Sequence, residues 1–189
     1  MALQTRSLRE QVAAGADAVQ IFDTWSGLLD ERSWRTLVKP HLVRLLEETA
    51  DLGVPRILFM QEAPHLVDAA AGLPSEGLSV DWRVDLPSLR RRVGPARARQ
   101  GNVEPSTLRA GPEATRDAVR ALLQAMPPRG HVVNLGHGLL PETPPESVAA
   151  MVEEVRAEAG RPAYRPPPAA PGNGNGLRQE HPIAREVTA

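Results

Sequence analysis

The chain has 189 residues, of which 41% are hydrophobic and 24% charged, and its formal net charge of −1 gives no electrostatic support for a nucleic acid or a membrane surface as a partner. It contains no cysteine, which excludes disulfides, thiolate nucleophiles and cysteine-ligated metal sites. No apolar run is long enough to span a membrane and the N-terminal residues lack the apolar core of a signal peptide, so we expect a cytoplasmic protein.

Short apolar runs alternate with helical patterns between residue 2 and about residue 160. In chain order, the patterns predict a helix over 2–14, a strand over 18–22, a helix from 30 or 31 to 52, a strand over 56–60, a helix over 64–71, a strand over 78–80, a helix over 86–93, a strand over 96–100, a helix over 112–126, a strand over 131–135 and a helix over 144–160. The Pro- and Gly-rich residues 161–189 are predicted to form a disordered tail after a folded portion over 2–160.

The alternation of strands and helices with short connections predicts an α/β fold with parallel strands and right-handed crossovers. Five such units fit either a doubly wound sheet or part of a (β/α)8 barrel. The glycine fingerprint G-x-G-x-x-G, typical of doubly wound dinucleotide folds, does not follow any predicted strand. The barrel is therefore favoured, although five strands are too few to close it.

Polar residues follow each predicted strand, at the edge where parallel α/β folds place their functional groups. They are Asp23 and Thr24, Gln61 and Glu62, Asp81 and Arg83, Asn102 and Glu104, and Asn134 and His137. Two interpretations remain open. The residues either line one polar cleft or act separately as helix caps and turn formers. Similarly, the glycines on both sides of His137 either expose the imidazole to a ligand or mark an ordinary turn.

Five segments resemble one known family, in the family's order and spacing. They are residues 15–27, 54–59, 80–86, 91–105 and 134–148, the last of which begins with NLGHG. On these segments the chain resembles the uroporphyrinogen decarboxylase family over nearly all of residues 5–158. The resemblance implies the C-terminal part of a (β/α)8 TIM-type barrel, namely its last five strand–helix units.

The resemblance also implies an activity and a set of binding residues. The family removes the four acetate carboxyl groups of uroporphyrinogen III in turn and forms coproporphyrinogen III in haem biosynthesis, without a metal or other cofactor. By its motifs, Thr24 and His137 are expected to bind the porphyrinogen substrate, and no catalytic residue is assigned to this portion. Further residues are expected to line the cleft: Asp23, Asp81, Gln100, Asn102 and Asn134.

Two departures from the family pattern bear on function. The N-terminal half, which in the family carries an arginine-rich motif, an aspartate that contacts the pyrrole nitrogens and a tyrosine, is expected to be missing. In addition, Gln61 and Glu62 stand where the family pattern has lysine and glycine, which replaces a positive charge with a neutral and an acidic side chain.

Two other interpretations of the function remain open. The chain is either a portion of an enzyme or an inactive half-barrel that pairs with another chain, namely a second copy of itself (a homodimer) or a separate N-terminal half. Pairing is expected because an open parallel sheet exposes strand edges and apolar surface. Zinc-dependent methyltransferases of the same superfamily are a further alternative, but they need cysteine ligands, and the lack of cysteine argues against them.

Overall fold

The computed structural model describes residues 2–94, 96–127 and 129–158; the predicted tail over 161–189 lies outside them and stays a prediction. The strands are β1 (Val19–Asp23), β2 (Arg56–Met60), β3 (Gly77–Val80), β4 (Ala98–Gln100) and β5 (His131–Val132). The helices are α1 (Ala2–Ala13), α2 (Glu31–Leu37), α3 (Lys39–Glu48), α4 (Val67–Ala71), α5 (Leu86–Val93), α6 (Pro105–Arg109), α7 (Pro112–Ala125) and α8 (Pro145–Glu158), with short 3-10 turns at Ser26–Leu28, Ala50–Leu52 and Pro64–Leu66.

All five strands form one parallel sheet in the order β1-β2-β3-β4-β5. A doubly wound sheet would reverse its strand order at a switch point, whereas each strand here pairs with the next one along the chain. Sequential pairing of parallel strands is the winding of a (β/α)8 barrel. The prediction of an α/β fold with five parallel strands in a partial barrel is confirmed.

The sheet is strongly curved. The side chain of Gln100 on β4 donates a hydrogen bond of 3.0 Å to the side chain of Gln20 on β1. In a flat sheet these strands would lie about 14 Å apart, since three strand spacings of about 4.8 Å separate them. The two amides therefore meet across the concave face, which corresponds to the inside of a barrel.

Side chains alternate along each strand between the concave face and the helices. Leu58 and Met60 of β2, and Leu78 and Val80 of β3, point outward into the main core, where they are almost completely buried. Trp34 of α2 is fully buried in the same core. Burial of each such side chain contributes about 1.5–3 kcal/mol, so this outer layer holds the helices against the sheet.

Buried arginines cap helix ends at the amino-terminal edge of the sheet. Arg56 donates to the Leu46 carbonyl at the end of α3 and forms an ion pair of 2.6 Å with Glu76. Arg97 donates to the carbonyls of Ala70 and Ala71 at the end of α4. Cationic donors at helix C-termini satisfy carbonyls that have no partner within the helix. This edge therefore stabilises the fold, while the opposite edge is left for function.

The helix predicted from residue 30 or 31 to 52 is divided. α2 ends at Leu37, and α3 starts at Lys39 with Pro40 in its first turn. Proline has no backbone N–H and its ring clashes with the preceding turn of a continuous helix, so the chain starts a new helix here. The 3-10 turn at Ala50–Leu52 completes the segment before Gly53, which adopts a left-handed conformation.

Two further differences lie in the second half of the sheet. The short helix α6 was not predicted; it starts at Pro105, whose fixed φ suits a first helical position. β5 is limited to His131–Val132 rather than 131–135, and its continuation makes a single bridge between Val103 and Leu135. Within the described residues, no helix is long and apolar enough to cross a membrane.

Candidate active-site cleft

A cavity of about 330 Å³ opens on the concave face at the carboxyl ends of the strands. Its volume lies in the lower part of the range for ligand pockets, about 300–1,000 Å³. The cavity is lined by Gln20, Phe22, Thr24, Phe59, Gln61, Ser79, Asn134, Leu135, His137 and Gly138. These residues come from β1, β2, β3 and the loop after β5, so the curvature of the sheet gathers them.

Thr24 and His137, the two residues expected to bind substrate, line the same cavity. Thr24 directly follows β1, and His137 lies in the loop after β5, at the opposite end of the strand order. Both side chains are exposed. A hydroxyl and an imidazole can each donate a hydrogen bond, so this rim can hold an anionic or carbonyl oxygen. Asn134, also expected in the cleft, lines it as well.

Two aromatic rings form one wall of the cleft. Phe22 and Phe59 occupy paired positions on β1 and β2, and their rings meet edge to face with centroids 5.7 Å apart. Phe22 remains 66% exposed, which leaves a large apolar surface open at the cavity. Such a wall suits the apolar face of an aromatic ligand ring.

The floor of the cleft is polar and neutral. Gln100 donates hydrogen bonds from Nε2 to the Gln20 side-chain oxygen at 3.0 Å and to Ser79 Oγ at 3.1 Å. Gln100 was expected to line the cleft, but it is buried behind Gln20 and Ser79, which do line it. Its place is therefore one layer below the surface that a ligand meets.

Asp23 does not line the cleft as expected. It points to the opposite face of β1 from Phe22 and Thr24, because side chains alternate along a strand. Its carboxylate accepts a hydrogen bond of 3.3 Å from the indole N–H of the buried Trp34. Burial raises the pKa of Asp23 above its ordinary value, although hydrogen bonds from Trp34 and Ser26 oppose the shift. Asp23 thus joins β1 to α2.

Asp81 also lies behind the cleft, where it joins the ends of β2 and β3. Its buried carboxylate accepts a hydrogen bond of 2.6 Å from the backbone N–H of Glu62 and forms an ion pair of 3.1 Å with Arg83. The ion pair between Asp81 and Arg83 fixes the loop. Asn102 donates hydrogen bonds of 2.8 Å to the Asp81 carbonyl and 2.5 Å to the Val84 carbonyl. It therefore also joins loops behind the cleft and does not line the cavity.

Two glycines bring the outer loops against this inner network. A Cβ atom on Gly136 would lie 2.7 Å from the Trp82 nitrogen and 2.9 Å from the Asp81 Cα, and one on Gly27 would lie 2.7 Å from the Glu62 carbonyl carbon. Gly138, by contrast, has open space at its Cβ position. The sequence left open whether the glycines beside His137 expose the imidazole to a ligand or mark an ordinary turn. Gly136 has a packing role, because it lets the loop after β5 pack against the end of β3.

Gln61 and Glu62, which stand where the family pattern has lysine and glycine, place no charge at the cavity surface. Gln61 lines the cleft, while Glu62 adopts a left-handed conformation with a φ of 54°. The Glu62 carboxylate accepts a hydrogen bond of 3.2 Å from Arg83. Among the cavity-lining residues of the described part, none carries a carboxylate, ammonium or guanidinium group.

Sequence reasoning missed several lining residues that precede the strand ends: Gln20, Phe22, Phe59 and Ser79. The signal that could have found them is the two-residue period of a strand, since Gln20 and Phe22 share the parity of Thr24. In the described part of the chain, no three His, Asp or Glu side chains lie close enough together to hold a metal ion.

Comparisons with known proteins agree with this architecture. The model of the uroporphyrinogen decarboxylase family matches residues 2–158. Curated proteins named uroporphyrinogen decarboxylase are 44% identical in Nocardia farcinica, over 78% of this chain and 44% of the relative, and 41% identical in Streptomyces coelicolor, over 82% of this chain and 44% of the relative. The chain thus spans somewhat less than half the length of the curated relatives it matches.

A solved structure of a methyltransferase from Methanosarcina mazei superposes with a TM-score of 0.71 at 22% identity and covers 82% of this chain and 46% of the other. At that identity the likeness supports the fold and carries no argument about chemistry.

Proposed function

The chain belongs to the uroporphyrinogen decarboxylase family, and we propose that it supplies the C-terminal five strand–helix units of a barrel that decarboxylates uroporphyrinogen III to coproporphyrinogen III. The observation that carries this proposal is the convergence of Thr24 and His137 from the first and last strands on one cleft with an aromatic wall. Two donors beside an apolar surface suit a macrocycle that bears carboxylates.

The reaction replaces each –CH2–COO⁻ arm with a methyl group. A pyrrole ring takes up a proton, the bond to the carboxyl carbon breaks, CO2 leaves, and its electron pair neutralises the protonated ring. A second proton transfer returns the ring to its starting state and completes the methyl group, so each cycle consumes one proton. The positive charge on the ring must be stabilised while CO2 departs.

In this scheme the described residues bind and orient the substrate. The Thr24 hydroxyl and the His137 imidazole donate to carboxylates at the rim of the cleft, and Phe22 and Phe59 contact the apolar faces of the pyrroles. The protonated ring needs a nearby anionic group, and neutral donors alone do not balance the negative charge of the substrate. Among the described lining residues none carries a carboxylate, ammonium or guanidinium group, so we expect these charged groups from the complementary part of the barrel.

The proposal is tested by adding back the complementary part. The full chain is incubated anaerobically with uroporphyrinogen III, alone and with the portion of the Nocardia farcinica relative that it does not match, and carboxyl loss is followed by mass spectrometry. We expect products with fewer carboxyl groups only when both parts are present. Turnover by the chain alone would refute the claim that essential groups lie elsewhere, and no turnover by a folded complex would refute the proposed activity.

A non-catalytic half-barrel that pairs with another chain is the second candidate. It is favoured by the exposed apolar side chains at the free edge of β1, where Leu3 is 77% exposed and Phe22 is open. Sedimentation equilibrium distinguishes the candidates: a stable dimer of this chain that neither binds the complementary portion nor turns over uroporphyrinogen supports the non-catalytic role. The methyltransferase alternative lacks the cysteine ligands that its zinc chemistry needs.

A further inference from the structure

The floor of the cleft contains a short chain of hydrogen bonds that starts at a buried amide. Gln100 is only 6% exposed, and its single NH2 group has two hydrogens. One is donated to the side-chain oxygen of Gln20 and the other to Ser79 Oγ. Both hydrogens are therefore used inside the barrel, and the oxygen of Gln20 is committed to the interior.

This arrangement leaves the NH2 group of Gln20 as a donor toward the cleft. Gln20 is partly exposed and lines the cavity, and among the described residues none accepts a hydrogen bond from its side-chain nitrogen. A primary amide that faces the cleft without a partner in the described part of the protein is available to a ligand that offers an acceptor.

The surroundings define the class of acceptor. Phe22 lies two residues further along β1 on the same face, and Thr24 two residues beyond it. At about 3.3 Å per residue, Gln20 lies about 13 Å below Thr24 along the strand. A ligand ring against Phe22 would thus direct one substituent to the rim and another to the floor. Because hydrogen bonds to a charged acceptor are about twice as strong as neutral ones, a carboxylate substituent is favoured at the floor.

We propose that Gln20 binds a carboxylate arm of the ligand at the floor of the cleft and that the buried Gln100 is the positioning residue that turns the Gln20 NH2 group toward it. The identification of the arm as an acetate side chain rests on the proposed function. The binding of a carboxylate at the floor does not, because it rests on the Gln20 NH2 group that faces the cleft.

The test uses sodium acetate as the probe and the ¹⁵N-labelled full chain. The side-chain NH2 signals of Gln20 and Gln100 are followed by NMR as acetate is added, with sodium chloride at equal ionic strength as the reference. We expect a saturable downfield shift of the Gln20 signals with acetate alone. The exposed Gln124 is the internal control and should not respond. An equal response to chloride, or no response of Gln20, would overturn the proposal.

The variant Gln100→Glu tests the positioning role. A glutamate carboxylate only accepts hydrogen bonds, so it would turn the Gln20 NH2 group inward, and the acetate affinity should fall about tenfold or more. Gln100→Met removes the orienting donors without adding charge and should weaken binding to a smaller extent. Acetate binding at wild-type strength in both folded variants would show that Gln100 does not set the orientation. The backbone amide spectrum checks that each variant is folded.

The outcomes also separate this inference from the proposed function. An acetate response at Gln20 without decarboxylation by the reassembled barrel would keep the floor site and refute the activity. Decarboxylation with no acetate response, and with Gln20→Ala at wild-type turnover and KM, would keep the activity and refute the floor site. If the Gln100 amide had the reverse orientation, the oxygen of Gln20 would face the cleft and would repel acetate. The Gln20 signals would then not respond to acetate, and that result counts against the proposal.

Discussion

Gly136 and Gly138 flank His137 in the same motif but meet different surroundings, which gives a sharp test of how the cleft is built. A Cβ on Gly136 would come within 3 Å of two backbone atoms of Asp81 and Trp82 and of the Trp82 ring carbon Cε3 at 2.8 Å. Backbone atoms cannot rotate away as a flexible side chain does. The change Gly136→Ala must therefore displace the loop after β5 or the end of β3.

The magnitude follows from the cost of overpacking. One extra methyl group in a tightly packed site costs typically about 1–3 kcal/mol. Gly138→Ala adds the same methyl group in open space and should change the free energy of unfolding by less than about 0.5 kcal/mol. For a folded portion of this size, 1 kcal/mol shifts the melting temperature by about 2–4 °C, so Gly136→Ala should lower it by about 2–12 °C.

Urea unfolding followed by tryptophan fluorescence measures both variants under the same conditions. Trp82 adjoins Gly136, so its emission also reports a local displacement of the loop. Equal stability of Gly136→Ala and Gly138→Ala would refute the packing of the β5 loop against the end of β3. A larger loss for Gly138→Ala would invert the roles assigned to the two glycines.

Three other changes probe polar contacts on both edges of the sheet. Asp23→Asn should raise the free energy of unfolding at neutral pH. Burial raises the pKa of Asp23, so the stability that the protonated carboxyl contributes is lost as pH rises through the raised pKa, and asparagine avoids this loss. In urea unfolding the gain in stability should shrink toward zero in acid, and a gain that persists in acid would contradict the prediction. Arg56→Met should lower the free energy of unfolding by about 3 kcal/mol. This is the lower end of the range for breaking a buried ion pair, because the partner Glu76 is half exposed. The hydrogen bond from Arg56 lowers the pKa of Glu76, so the whole loss of stability should be seen at neutral pH and should diminish as Glu76 becomes protonated in acid. A loss of stability that does not change with pH would show that the ion pair contributes nothing to it. Asp81→Ala should release the Glu62 backbone N–H and the Arg83 side chain. Amide hydrogen exchange at Glu62 should then accelerate, while exchange in α8 stays unchanged. Unchanged exchange at Glu62 would contradict the network.

Local signals were sufficient for much of the fold. β2 at Arg56–Met60 and α5 at Leu86–Val93 have the predicted bounds. Gly53 and Pro55 precede the apolar run of β2, and Asp85 caps the start of α5. The division between α2 and α3 carried its own signal in Pro40. β5 was overestimated because the apolar run over 131–135 continues beyond the paired residues His131 and Val132.

The site was harder to predict because its geometry depends on contacts between distant residues. The end-of-strand rule located Thr24 and His137 at the cavity, but it could not show that Asp23, one residue before Thr24, faces Trp34 instead. Nothing local in the sequence links Gln20 to Gln100, which are 80 positions apart and meet only because the sheet curves. The packing role of Gly136 likewise depends on a loop more than 50 residues earlier in the chain.

The central claim is that Thr24 and His137 converge on a cleft that binds the porphyrinogen. The most direct test is the KM and rate of carboxyl loss from uroporphyrinogen III by the reassembled barrel carrying Thr24→Val or His137→Asn. We expect each change to reduce kcat/KM about tenfold or more, the cost of one hydrogen bond to a charged group. The exposed His41 on α3 provides the matched control, and His41→Asn should leave the kinetics unchanged. Wild-type kinetics in both Thr24→Val and His137→Asn would contradict the account.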